Sequence, residues 1–228
     1  GSLQSALAYL KGHEDSSQFL INNLKTHGPR LTNHPNSGNF KLIEEKDKVC
    51  GVFCLTRRGN LLAQCNGLFA KEILEECSRE DMPLKGFIGD WQSIEPIVSE
   101  FKKKNISFKP SYSSREILFS YELKTNDLNL KHDPRVRLLS ATEFEKWNEA
   151  NTEYMRELHL PDELTLEQKA SSFKKGFAKA CMFHMLRDCV ERFKHRKNIL
   201  FTGEEDTAAI KLYESMGYRR IGFFALVL

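Results

Sequence analysis

Between residues 3 and 24 the apolar residues recur at helical spacing, so the chain should begin with helix. The polar run at 12–15 interrupts this pattern, which divides it into two short amphipathic helices. Asp15 or Ser16 stands where a side chain could cap the second helix. A polar loop follows, from 26 to 38.

The next stretch changes to short apolar runs separated by polar turn residues, a pattern typical of antiparallel strands. The predicted turns are at 45–48 and 57–60. The three predicted strands cover residues 40–45, 49–56 and 61–66. They should form an antiparallel meander.

Helices then alternate with strands, which favours an α/β arrangement after the meander. The predicted helices cover residues 70–77 and 92–104, and the predicted strands 84–88, 106–110 and 116–123. The polar, turn-rich residues 125–134 have the composition of a linker. We therefore expect two domains, 1–124 and 135–228.

The second half is predicted to begin with a strand at 135–139 and a helical region from about 141 to 171, with Ser140 and Glu143 in capping-box spacing. Pro161 can open a second helix within that region. Its later elements are a long helix (177–194), a strand (198–201), a helix (207–216) ended by Gly217, and a closing strand (219–228).

Charge and composition exclude several classes of partner. The chain has 228 residues, and its 34 basic and 31 acidic residues give a formal charge of +3, so we expect neither nucleic-acid nor membrane binding. A basic run at 192–197 follows the end of a predicted helix, where the helix dipole favours cations. No apolar run approaches the length of a membrane span, and the first residues lack a secretion signal.

The six cysteines form no C-x-x-C pair, and most lie in apolar runs. This suits free thiols in a reducing cytoplasm. Cys50 and Cys54 would share one face of a strand, but no histidine pair lies at ligand spacing, so no metal site is expected. His13, His27 and His34 are expected in loops and exposed to solvent.

A glycine stands where a loop should become the long helix, among three lysines. Backbone N–H groups at a helix start attract anions, so this segment could hold a pyrophosphate; an ordinary helix start with solvated lysines is the alternative. The candidate residues are Lys174, Lys175, Gly176, Phe177, Ala178 and Lys179.

The segment from Asp206 to Tyr218 predicts an amphipathic helix packed on a sheet. Taken alone, Tyr213 would be a core tyrosine with a satisfied hydroxyl.

Together the two segments resemble the GNAT superfamily of acyl-coenzyme A N-acyltransferases. Gly176 and Ala178 match its phosphate loop, written R/Q-x-x-G-x-G/A. The later pattern, N-x-x-A-x-x-x-Y-x-x-x-G-F/Y, is matched by Ala209, Tyr213, Gly217 and Tyr218. The first half has a GNAT-like order of elements without these motifs and is interpreted as a degenerate copy.

The resemblance implies an α/β fold with mixed sheets in tandem GNAT-like domains. It implies acetyl-CoA as co-substrate, bound by residues 174–179 with Asp206 and Ala209. Direct attack by an amine on the thioester would need no acyl-enzyme, and Tyr213 would protonate the leaving thiolate. The acceptor would be an amine on a small molecule or a protein.

This sequence departs from the family pattern in three places. Phe173 replaces the Arg or Gln, and Asp206 replaces the Asn. The central strands of the C-terminal domain are missing between its first helices and Gly176. A degenerate domain, strands supplied from elsewhere and residues absent from this sequence are the three explanations.

Two functions therefore remain open. One is an acyl-CoA-dependent N-acetyltransferase, with Glu163 and Glu205 as candidate bases. The other is a catalytically inactive GNAT-fold module that senses a ligand or binds a protein.

Overall fold

The fold is mixed α/β, with helices packed on a sheet of parallel and antiparallel strands. The computed structural model describes residues 3–105, 107–123, 140–157, 186, 189–190 and 194–228. Two compact units are present, residues 1–120 with 199–228 and residues 121–198. This grouping differs from the predicted division into 1–124 and 135–228, and the tandem arrangement stays a prediction.

The described helices and strands follow the predicted order closely. The helices are α1 (Leu3–Gly12), α2 (Gln18–His27), α3 (Ala70–Ser78), α4 (Trp91–Lys104), α5 (Phe144–Glu157) and α6 (Thr207–Ser215). The strands are β1 (Gly38–Glu45), β2 (Lys48–Thr56), β3 (Asn60–Cys65), β4 (Gly86–Asp90), β5 (Ser113–Glu122), β6 (Lys197–Gly203) and β7 (Arg219–Val227).

The predicted meander is confirmed as the antiparallel strands β1, β2 and β3. Lys46 and Asp47 turn the first hairpin with positive φ angles of 51° and 61°. Such angles suit the mirror-image turns that match the twist of paired strands. The local sequence was sufficient here because each strand pairs with its neighbour along the chain.

The sheet has the order β1-β2-β3-β4-β7-β5-β6. β3 and β4 are parallel, whereas β7 is antiparallel to both β4 and β5. β7 therefore lies inside the sheet, between two strands, β4 and β5, that come from residues 86–122. Local patterning predicted β7 itself but not its two partners.

Two apolar clusters lie on opposite faces of this sheet. On one face α1 and α2 pack on Val52, Cys54 and Leu62. On the other, α3 and α4 pack on a cluster that includes Phe87 and Ala225. Burial on both faces is what a sheet between two helical layers requires.

Two predictions of local structure are wrong. The residue at the N-cap of α2 is Ser17, not Asp15 or Ser16. Residues 107–112 form a turn and loop rather than a strand. The apolar alternation there has another cause, since Phe108 packs edge-on to Phe87 and Phe101, with ring centroids 5.9 and 5.1 Å away.

The capping box before α5 is confirmed. The carboxylate of Glu143 accepts a hydrogen bond from the backbone N–H of Ser140 at 2.8 Å. The predicted linker, the strand at 135–139 and most of the predicted long helix lie outside the described residues.

Candidate functional site

Tyr213 lies near the end of α6, which was predicted correctly together with Gly217. Gly217 has a φ of +91°, a conformation that favours glycine just beyond a helix. The half-buried ring of Tyr213 packs edge-on to Phe119 of β5, with centroids 5.6 Å apart, and lies 5.9 Å from the ring of Tyr218. These contacts fix the position of the phenol.

The face on which Tyr213 lies follows from strand register. Ala225 belongs to the cluster under α3 and α4, and it pairs with Arg115 of β5. Alternate residues of a strand point to the same face, and the irregularity in pairing after Leu118 adds its extra residue to β7 rather than β5, so Arg115 and Phe119 share that face. α6 therefore packs on the same side of the sheet as α3 and α4.

β4 ends before its two neighbours in the sheet. The pairing of β3 with β4 stops at Ala63 and Gly89, although β3 continues to Cys65. β7 pairs with β4 only from Phe224 onwards, but with β5 from Arg219 onwards. Among the described strands, residues 220–223 thus pair with a strand on one side only. We call the space bounded by the ends of β3 and β4 and by residues 220–223 the sheet gap.

Gly89 permits the close approach of β3 and β4 just before they separate. Its φ is +156°, and an added Cβ would lie 2.4 Å from the carbonyl oxygen of Ala63. Neighbouring strands lie about 4.8 Å apart, so one missing strand leaves about 10 Å between β3 and β7. Phe119 pairs with Arg220, which places Tyr213 beside residues that border the sheet gap.

Asp206 acts in the structure as the N-cap of α6. Its Oδ1 accepts a hydrogen bond from the N–H of Ala209 at 2.9 Å. A negative charge thus already satisfies this helix start. The other predicted carrier-binding residues, Lys174–Lys179, lie outside the described residues.

A cluster of buried polar side chains lies on the α1–α2 face, beside the end of β3. Gln64 is 5% exposed, and its Oε1 accepts hydrogen bonds from the hydroxyls of Ser16 at 2.8 Å and Ser17 at 3.1 Å. Ser17 therefore uses its hydroxyl for the sheet rather than for capping α2. This bond ties the turn between the first two helices to the sheet gap.

His13 lies beside this cluster, exposed in the turn after α1, and has a defined tautomer. Its Nδ1 lies 3.0 Å from the carbonyl oxygen of Tyr9, and a carbonyl can only accept, so Nδ1 carries the proton. The ring also packs on that of Tyr9, with centroids 4.5 Å apart. With the proton on Nδ1, Nε2 is the ring nitrogen that can accept a hydrogen bond.

Tyr9, which packs on this histidine, is held in place by a hydrogen bond of its own. Its hydroxyl donates to the carbonyl oxygen of Cys50 at 2.9 Å. Burial, with smaller contributions from the nearby thiols and Asp90, raises the pKa of Tyr9 to about 12. The phenol therefore stays protonated and serves as a hydrogen-bond donor.

Asp90 ends β4 and caps α4. Its Oδ2 accepts from the N–H of Ser93 at 3.2 Å, while the hydroxyl of Ser93 donates to the carbonyl oxygen of Cys65 at 2.8 Å. Burial raises the pKa of Asp90, opposed by hydrogen bonds from Ser93 and Gln92 and by the nearby His13. The carboxylate is thus held between the two strand ends.

Replacing Asp90 by Asn should stabilise the protein at neutral pH. The folded pKa lies above the ordinary 3.8, so native stability is lost as pH rises through 3.8 towards the folded pKa. Asn keeps an acceptor for the helix cap without the buried charge. Urea unfolding should show a higher midpoint for D90N at pH 7, with the advantage shrinking near pH 4.

Asp47→Asn, in an exposed turn, is the matched control and should change little at either pH. A D90N protein that is less stable than the parent by the same amount at both pH values would contradict the assignment of burial as the dominant influence on Asp90.

Sequence reasoning missed this cluster, since its members come from four separate segments. His13, beside it, was correctly predicted to be exposed in a loop. One signal was present, because Gln64 is a single polar residue within the apolar run of β3. A polar side chain in such a position needs a buried partner.

Of the two candidate bases, only Glu205 lies among the described residues. Glu163 lies outside the described residues. Glu205 is exposed beside Gly203, just before α6 begins. With a rise of 1.5 Å per residue, α6 separates it from Tyr213 by about 12 Å.

Burial raises the pKa of each of the three thiols Cys54, Cys65 and Cys77 to about 12. These thiols are apolar core side chains rather than nucleophiles. Within the described ranges, no group of three or more His, Cys, Asp or Glu side chains could hold a metal ion. No helix in that part of the chain is long and apolar enough to cross a bilayer.

Comparison with known proteins gives no information on activity. No protein-family model matches the chain, and no curated protein matches it. It is similar to the X-ray structure of a Drosophila protein solved by a structural genomics consortium, with 12% identity over 94% of this chain and 88% of that chain. The TM-score is 0.48, a likeness that says nothing about activity.

Proposed function

We propose that the protein is an acyl-CoA-dependent N-acyltransferase, which in the simplest case transfers acetyl from acetyl-CoA to an amine. The observation that supports this best is the position of Tyr213, fixed by two aromatic contacts beside the sheet gap. The resemblance of residues 174–218 to the GNAT motifs supplies the choice of chemistry. The free thiols favour the cytoplasm as its location.

The sheet gap suits the arm of coenzyme A. That arm carries amide groups, and an extended chain with amides can hydrogen bond to a strand edge that has no partner. Residues 220–223 of β7 present such an edge among the described strands. The phosphates would bind at residues 174–179, as the GNAT resemblance implies.

Tyr213 would act as the general acid. The amine nitrogen forms a bond to the acyl carbon, the carbon–sulfur bond breaks, and the phenol donates its proton to the departing sulfur. The attacking nitrogen must also lose a proton. His13, exposed in the turn after α1, is a candidate acceptor because its Nε2 has no partner among the described residues.

Saturating acetyl-CoA should raise the melting temperature. A ligand at 100 times its dissociation constant adds about 2.7 kcal/mol to the free energy of unfolding. Gly176→Val should remove this shift, whereas Gly12→Val, where an added side chain meets open space, should retain it. No shift in the parent protein would reject the proposal.

A non-catalytic module is the second candidate, and one observation favours it. The Asp206 carboxylate occupies the start of α6, where the family pattern has a neutral Asn. Its charge would repel the phosphates of a carrier bound there. A melting shift with acetyl-CoA but no acetylation of any amine in a panel would favour the module.

A further inference from the structure

Arg115 of β5 is held in an unusual setting on the α4–α6 face. The carbon at the centre of its guanidinium lies 3.8 Å from the centroid of the Phe223 ring and 5.4 Å from that of Trp91. Planar guanidinium groups stack on aromatic rings and leave their N–H edges free. The two rings therefore fix the orientation of the guanidinium plane.

The hydrogen-bonding capacity of this guanidinium is unused among the described residues. Its one charged neighbour there is Glu204, with Nε 3.6 Å from Oε2, beyond hydrogen-bond distance. The two side chains are 41% and 47% exposed. Arg115 thus offers donors in a fixed plane to a group from solution.

Its place in the sheet connects Arg115 with the sheet gap. Phe223 borders the gap, and Trp91 directly follows the end of β4. Phe119, which supports Tyr213, lies four residues further along β5 on the same face, about 13 Å away. A ligand in the gap could therefore touch Arg115 and reach Tyr213.

We propose that Arg115 binds an oxyanion, a carboxylate or phosphate group, of the ligand that occupies the sheet gap. Arginine matches both groups by donating two parallel hydrogen bonds. In the free protein Glu204 lies beside the guanidinium of Arg115, and it moves away when the anion binds. The identity of the ligand rests on the proposed function, but oxyanion binding by Arg115 does not.

Tryptophan fluorescence can test the site without an acyl carrier. Trp91 and Trp147 are the only tryptophans, so Trp147→Phe leaves Trp91, next to the guanidinium, as the reporter. Inorganic pyrophosphate and succinate would each be titrated at low ionic strength, because salt screens exposed charges. We expect a saturable change in fluorescence with at least one of these anions.

Arg115→Gln in the Trp147→Phe protein should weaken anion binding by about 10- to 100-fold, the usual contribution of a hydrogen bond to a charged group. Arg115→Lys, which keeps the charge without the planar fork, should also bind more weakly. Glu204→Gln should bind severalfold more tightly. Arg79→Gln, which replaces an exposed arginine just after α3, should bind each anion with the same affinity as the parent protein.

Titrations unchanged in R115Q, or no saturable signal with either anion, would overturn the proposal. If the enzyme is active, a raised KM of R115Q for the amine would identify the oxyanion as a carboxylate of the acceptor. A raised KM for acetyl-CoA would identify it as a phosphate of the carrier. If neither KM changed, the proposal would also be overturned. Failure of the proposed function is distinguishable, since anion titration can succeed when acetyl-CoA neither binds nor reacts.

Discussion

Ala225→Asp should prevent the chain from folding. Ala225 is fully buried in β7, between Gly89 of β4 and Arg115 of β5. Burying a carboxylate in this apolar cluster costs several kcal/mol in lost hydration, even with Arg115 as its neighbour across the strand, and that cost is comparable with the total stability of about 5–15 kcal/mol for a domain. Circular dichroism and a thermal melt would detect the loss of cooperative structure.

Ala8→Asp provides the control, because Ala8 is exposed on α1. Its melting temperature should stay close to that of the parent. If A225D instead melted like A8D, the last strand would not lie between β4 and β5, and the sheet gap that depends on this placement would not exist.

Tyr213→Phe should lower kcat by about 10²- to 10⁴-fold, the usual contribution of a general acid. The aromatic contact with Phe119 is retained in this variant, so the fold and acetyl-CoA binding should survive. Turnover is measured by release of free thiol, and binding by the melting shift. Together these measurements separate a catalytic role of the hydroxyl from a structural role.

Tyr9→Phe is the matched control for removal of a phenol hydroxyl. The hydroxyl of Tyr9 donates to the backbone of Cys50, so its loss should cost about 1 kcal/mol of stability and leave kcat unchanged. A Y213F enzyme with full turnover would remove Tyr213 from the mechanism, whatever the result with Y9F.

Most helices and strands could be predicted because their causes are local. The turn at Lys46 and Asp47, the capping box at Ser140 and the glycine after α6 are signals that lie within a few residues of the structure they determine. The prediction of a strand at 106–110 was wrong because the cause of the apolar pattern there is not local. Phe108 is apolar on account of two distant phenylalanines, a contact that local periodicity does not report.

The candidate site was predicted only in part. Tyr213 and its helix follow from a motif within one segment. The sheet gap arises from different lengths of pairing among β3, β4 and β7, and Arg115 gains its setting from Phe223 and Trp91. Contacts between remote segments depend on strand order, which the hydrophobic pattern of a single strand does not contain.

The position of β7 also affects biosynthesis. Residues 86–90 and 113–122 leave the ribosome long before residues 219–227, the strand that must separate them in the sheet. Until then β4 and β5 expose unpaired edges, which are prone to intermolecular association. Closure of the sheet must therefore wait until residues 219–227 have left the ribosome, and such non-local pairing is slow, on the order of milliseconds to seconds. During that interval the nascent protein should depend on chaperones.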